Sequence, residues 1–263
     1  MDGATTQAGG GSDEKEGTGL MGMIRRGWFA GVLLALVFVP TLPVGAQTHE
    51  GPARFAPVAP SERIPNLDTL KDQLKQYHAC TCTCGCYAKD LDLQAERAIA
   101  FLRLRTARRR PNEKLAVVLD IDETTLSNYE EMEKAGFAYD AKAFNAWVDS
   151  AKAPAIPGTL RIFNEAKRLG VHAFFLTGRG EAERAVTEKN LRAQGFAGWQ
   201  ELILRKPGQG SSTALEYKSA ARAGLVAEGY KIILNVGDQW SDLRGNPEAE
   251  YSVKYPDPYY FLK

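Results

Sequence analysis

Histidine is nearly missing from this chain. Of 263 residues only His49, His78 and His172 are histidine, and none lies between Arg and Gly as the nucleophile of a histidine phosphatase does. Excess charge is lacking too: 33 Lys and Arg against 32 Asp and Glu leave +1, so no global field directs the chain to nucleic acid or an anionic membrane surface. The apolar run at 28–39 is cut off by Pro40 and Pro43, well short of the roughly 20 residues that a spanning helix needs. The four cysteines all fall between positions 80 and 86, so no second cluster is available to complete a two-pair zinc site. None stands directly at the end of the apolar run, which argues against a lipid-modified N-terminus.

What is present divides the chain into segments. Residues 1–20 are Gly-rich and polar and cannot offset the entropy of ordering, so they read as a disordered or spurious extension. Residues 21–46 form a signal peptide: Met21 or Met23 as start, Arg25 and Arg26, the apolar run, then Val44, Gly45 and Ala46. Cleavage after Ala46 predicts a periplasmic or secreted protein with no stable membrane anchor. A Pro-rich linker (47–60) leads to a helical extension (61–110), in which Ser61 is a candidate cap. Leu91, Ala95, Ala98, Ile99 and Leu102 share one helical face there, and the arginines 103–110 read as a solvated helix end.

From Lys114 the texture changes. Apolar runs at 115–119, 171–176 and 232–236, with a shorter one at 202–204, suit strands buried on both faces of a parallel sheet. Helical patterns at 160–169, 181–194 and 215–223 alternate with them, each followed closely by a glycine that can end it. Strand and helix in alternation predict an α/β doubly wound domain over 111–263, with ligands bound beyond the carboxyl ends of the strands. Polar residues stand at those ends: Asp120 and Asp122, then Thr177, then Asp238 and Asp242. An Asp after a strand often makes only a turn or a cap; several in order converge on one crevice.

These residues resemble the motifs of haloacid dehalogenase (HAD) superfamily phosphatases: Asp120-Ile121-Asp122-Glu123-Thr124 the first, Phe174 to Arg179 the second, Lys218 the third, and Gly237-Asp238-Gln239-Trp240-Ser241-Asp242 the fourth. Within the superfamily the likeness is to plant acid phosphatases and vegetative storage proteins and to bacterial class C four-aspartate phosphatases. It extends through Trp147-Val148-Asp149, Pro157-Gly158, the strand at 202–205 and the closing aromatic stretch at 255–260.

The resemblance implies a HAD-like Rossmannoid fold and phosphomonoester hydrolysis. Asp120 becomes the nucleophile and Asp122 the acid/base. Mg2+ is then held by the Asp120 carboxylate, the Asp122 backbone carbonyl and Asp238, with Asp242 in support. Thr177, Gly178 and Lys218 take the phosphate oxygens. The implied partner is a small-molecule phosphomonoester, a nucleotide or aryl phosphate being candidates, and not a nucleic acid. Tyr129, Tyr139, Trp147, Tyr259 and Tyr260 are candidates to stack on an aromatic leaving group, with core packing the alternative for each.

Cys80, Cys82, Cys84 and Cys86 depart from these relatives; local disulfides, a soft metal such as copper or zinc, and intermolecular bridging are the open readings. The competing function is an exported metal-binding or storage protein on a phosphatase-like fold.

Overall fold

A computed structural model describes residues 64–82 and 86–262. The expected extension, signal peptide and linker, together with Ser61 and Cys84, lie outside the described residues. Two helices come first, α1 (Leu67–Ala79) and α2 (Tyr87–Thr106). They are followed by β1 (Lys114–Leu119), α3 (Tyr129–Lys134), α4 (Ala141–Ser150), α5 (Pro157–Arg168) and β2 (His172–Gly180). The chain continues through a short 3-10 turn into α6 (Arg184–Ala193), then β3 (Glu201–Arg205), α7 (Ala214–Ala227), β4 (Tyr230–Gly237), α8 (Trp240–Leu243) and β5 (Tyr251–Lys254). No helix among the described residues is long and apolar enough to cross a membrane.

The five strands form one parallel sheet in the order β3-β2-β1-β4-β5, as the alternation predicts. Residue parity sends Leu115, Val117 and Leu119 of β1 to one face and Ala116 and Val118 to the other. The first face carries the larger core, packed by Leu91, Ala95, Ala98 and Leu102 of α2, Ile162 and Phe163 of α5, and Leu191 of α6. The second is thinner and is packed by Tyr217 and Leu225 of α7. Register aligns Leu119 with Phe175 of β2 and Val236 of β4, so Asp120 leaves the sheet where the strand order reverses.

Several boundaries differ from expectation. α1 starts at Leu67, capped by Asn66, whose side chain accepts from the Asp68 amide at 2.9 Å. α7 runs through Gly224 to Ala227, and the residue that ends it is Gly229 at φ +86°, because only there does the chain need a left-handed residue. β5 is an edge strand with only Val253 buried, so it leaves no apolar run to read. α3 and α4 escaped because one has no buried residue and the other only Val148.

The arginines after 102 are not merely solvated. Arg103 pairs with Glu165 at 2.6 Å, and Arg105 binds Glu113 at 3.0 Å and Glu250 at 2.6 Å. Their spacing around the helix hid this, since their partners lie far along the chain. Cys80 and Cys86 form a disulfide that closes the turn between α1 and α2, the local pairing among the readings above.

The α2–α5 contact explains Pro157-Gly158. Pro157 supplies the first helical position, where a missing N–H costs nothing. A Cβ on Gly158 would meet the Ala95 Cβ at 2.8 Å. Gly158→Val should therefore pry the helices apart and lower stability by about 1–3 kcal/mol, the usual cost of overpacking, as measured by denaturant unfolding.

Candidate active site

Two turns beyond the ends of β1 and β4, the last residues of β2 and one residue of α7 bring the charged residues together. The first, after β1, is shaped from within. Thr125 Oγ1 donates to the Asp120 carbonyl at 2.5 Å. Glu123 takes a left-handed conformation at φ +55°, and its buried carboxylate accepts from the Asn128 amide at 2.5 Å and Nδ2 at 2.9 Å. Burial, reinforced by neighbouring Asp122, pushes the Glu123 carboxyl well above its usual range. Trp147 Nε1 in turn donates to Asn128 Oδ1 at 2.9 Å, so α4 braces the turn.

That turn aims its two aspartates apart. Asp120 is buried with its Oδ1 2.5 Å from Lys218 Nζ, and the same ammonium lies 2.5 Å from Asp242 Oδ1. Carboxylate oxygens of Asp120, Asp238 and Asp242 all lie within 4.8 Å of one another. Asp122 points the other way, into the guanidinium of Arg179, which donates Nη2 to Oδ1 at 2.6 Å and Nε to both oxygens at 3.1 and 3.2 Å. Asn128 Nδ2 adds a bond at 2.9 Å, and Thr177 Oγ1 lies 3.5 Å from Asp122 Oδ2. Burial raises the Asp122 carboxyl, but Arg179 and Asn128 outweigh it and hold the group below its ordinary value. For Asp120 burial wins over the Lys218 charge, and its carboxyl is pushed well up.

The turn after β4 is fixed with equal care. Asp238 accepts from Thr124 Oγ1 at 2.9 Å and from Gln239 Nε2 at 2.8 Å. Burial, with Asp242 and Asp257 adding repulsion, pushes it up to about 8. Gly237 has no alternative here, since a Cβ would collide with the Asp242 side chain. Behind it the fully buried Arg222 donates to the carbonyls of Asp242 at 2.5 Å, Pro247 at 2.9 Å and Arg244. These bonds hold the backbone that carries Asp242.

The expected site residues Asp120, Asp122, Thr177, Gly178, Lys218, Asp238 and Asp242 converge at one end of the sheet. All but Thr177 line a cavity of about 690 Å³. Its far wall is apolar, made by Met132, Phe137 and Phe144 from α3, α4 and their connection, and by Tyr259, Tyr260 and Phe261. Tyr139, Tyr259 and Tyr260 face this cavity; Tyr129 and Trp147 stand behind its lining, packed on His78 and bonded to Asn128.

Arg179, Asn128, Glu123, Gln239 and Arg222 carry the geometry without having been singled out as site residues. Arg179, Glu123 and Gln239 had a signal, their places inside the four motifs, whereas Asn128 and Arg222 had none. The donor set suits a hard divalent cation: three buried carboxylates lie together with one ammonium that contacts two of them, and the excess negative charge is what a cation would relieve.

Residues 49–263 match the family described as HAD superfamily, subfamily IIIB (Acid phosphatase). The chain belongs to this family. It is 41% identical over 148 residues to Acid phosphatase 1 of Solanum lycopersicum, covering 55% of this chain and 58% of that protein. To the Stem 31 kDa glycoprotein of Glycine max it is 41% identical over 150 residues, 56% and 59% of the two chains. Vegetative storage protein 1 of Arabidopsis thaliana is 34% identical over 149 residues, 55% and 54%. The match thus spans a little over half the length of these relatives. Among solved structures, the class C acid phosphatase from Bacillus anthracis with tungstate bound shares the fold at a TM-score of 0.60 and 23% identity, over 73% of this chain and 86% of that one.

Lys218 is the counter-charge for Asp120 and Asp242. Lys218→Met should cost roughly 3–5 kcal/mol of stability in chelator, as when one partner of a buried pair is removed. Magnesium should return part of that loss. Denaturant unfolding with and without the ion checks both effects.

Proposed function

We propose that this chain is an exported, Mg2+-dependent acid phosphatase that hydrolyses phosphomonoesters through an aspartyl-phosphate on Asp120. The observation that carries the reading is the opposite environment of the two aspartates of one turn. Asp120 sits against Lys218 within the carboxylate cluster, while Asp122 is gripped by Arg179 and Asn128 at the cavity. One group is placed to attack and the other to move protons, which is the division of labour that ester hydrolysis requires. Family membership and the intact Asp120 favour an enzyme over a storage or metal-binding role.

In the first step an Asp120 carboxylate oxygen attacks phosphorus, the bond to the ester oxygen breaks, and Asp122, ionised in the free site, relays the proton of the monoanionic ester to the departing oxygen. In the second step Asp122 takes a proton from water, which attacks phosphorus and frees Asp120 with inorganic phosphate. Thr177 and the open backbone at Gly178 donate to the phosphoryl oxygens, and Lys218 balances their charge. Mg2+ held by Asp120, Asp238 and the Asp122 carbonyl, with Asp242 in support, would supply the remaining positive charge on the phosphoryl group and would return the Asp120 carboxyl, raised by burial, to its ionised form. Arg179 holds Asp122 in line with the leaving oxygen, and the apolar wall receives an aryl or nucleoside group. The signal segment at 21–46 sends the enzyme to the periplasm or outside the cell.

Two results test this reading. Excess chelator should abolish phosphate release from an aryl ester and magnesium should restore it; full activity in chelator would overturn the metal requirement. Asp122→Asn should release phenol in a burst of at most one equivalent per site and hold the phosphate on the protein, because an aryl leaving group needs little acid help but water still needs a base. Rapid mixing with separate phenol and phosphate detection reads this directly. Burst-free release of both products at the wild-type rate would remove Asp122 from the role.

A further inference from the structure

α1 has no buried residue, yet its last turn reaches the wall of the cavity. His78 Nδ1 and the Tyr259 hydroxyl are 2.8 Å apart across 181 positions of sequence. The imidazole lies face to face with Tyr129, their planes within 3°, and its ring centroid is 5.3 Å from that of Tyr87. Tyr259 in turn lies parallel to Phe137, with centroids 5.9 Å apart and planes within 7°. Tyr259 and Phe137 line the cavity; His78 does not. Phe137 has a positive φ of 59°, a conformation that a bulky residue keeps only when its surroundings impose it. The chain around His78 is fixed as well. Tyr77 Oη donates to Asp90 Oδ2 at 2.6 Å, and the Cys80–Cys86 disulfide closes the turn between His78 and Tyr87.

Building on the phosphatase reading, we propose that His78 is a positioning residue that makes α1 part of the substrate-selecting apparatus. It holds Tyr259, and through it Phe137, as a fixed plane that favours phosphomonoesters with a flat apolar leaving group over small alkyl ones. His78 touches neither the carboxylate cluster nor the cavity, so it acts on leaving-group recognition and not on the phosphoryl step. The remaining attachments of α1, Tyr77 to Asp90 and the disulfide, keep the helix in place when the imidazole is removed.

Binding and turnover together test this on the full chain with magnesium. Phenylphosphonate and methylphosphonate report leaving-group recognition without any reaction. His78→Ala should weaken phenylphosphonate about tenfold relative to methylphosphonate, the scale of one hydrogen bond and one ring contact. The ratio of kcat/KM for phenyl phosphate over ethyl phosphate should fall by the same factor, through the KM of the phenyl ester. His78→Asn, which places an amide where Nδ1 stands, should recover about half of that loss on a logarithmic scale, and Tyr259→Phe should lower the same ratio from the other partner. Equal weakening of both phosphonates by His78→Ala, or of neither, would overturn the role of His78. Wild-type protein that binds the phosphonates with this preference but cleaves neither ester would instead overturn the phosphatase reading and leave the role of His78 standing.

Discussion

The upper edge of this sheet is organised by one electrostatic constraint: five buried or half-buried carboxylates, Asp120, Asp122, Glu123, Asp238 and Asp242, share two cations, Lys218 and Arg179. An isolated ionised carboxylate taken from water is costly, so each must be paired, hydrogen bonded or neutralised. The local structure follows from that requirement. Lys218 stands between Asp120 and Asp242, Arg179 closes on Asp122, and Glu123 is turned inward at a strained φ to satisfy Asn128. Asp238 lacks a cation of its own and is held by Thr124 and Gln239.

The sheet makes this concentration of charge possible. Parallel strands in register end at the same height, so Asp120 and Asp238 emerge side by side at the point where the strand order reverses. The sequence between β1 and α5 then folds back as α3 and α4, lays an apolar wall over the charged floor, and braces that floor through Trp147 and Asn128. The apolar wall thus comes from one continuous insertion and the C-terminal stretch, and the charged floor from the ends of β1, β2 and β4 and from α7.

What could be read from the residues tracks burial. β1, β2 and β4 announce themselves because both faces are covered and nearly every position is apolar, whereas β5 has one buried side chain and α3 none. The floor of the site was legible because polar residues follow several apolar runs in order, and the resemblance implied a role for each. The braces were not legible: Arg222 and Asn128 are ordinary residues whose meaning lies in the carbonyls and carboxylates that the folded turns bring to them. Tyr129 and Trp147 take the packing alternative set beside the ligand reading that the resemblance implied, one stacked on His78 and the other bonded to Asn128.

The route of the final residues has a practical corollary. Gln239 accepts the Leu262 amide at 3.1 Å through Oε1 and donates from Nε2 to Asp257 at 2.6 Å, so the last described stretch is tied to the residue beside Asp238. Phe261 and Leu262 lie on the cavity lining with the carboxylates. Any peptide continuing past Leu262 therefore sets out from the rim of the cavity. An affinity handle fused there would compete with ligands for the entrance, and a polyhistidine handle would also bring metal ligands beside the carboxylate cluster; such handles belong ahead of α1, on the α1 side of Ala46.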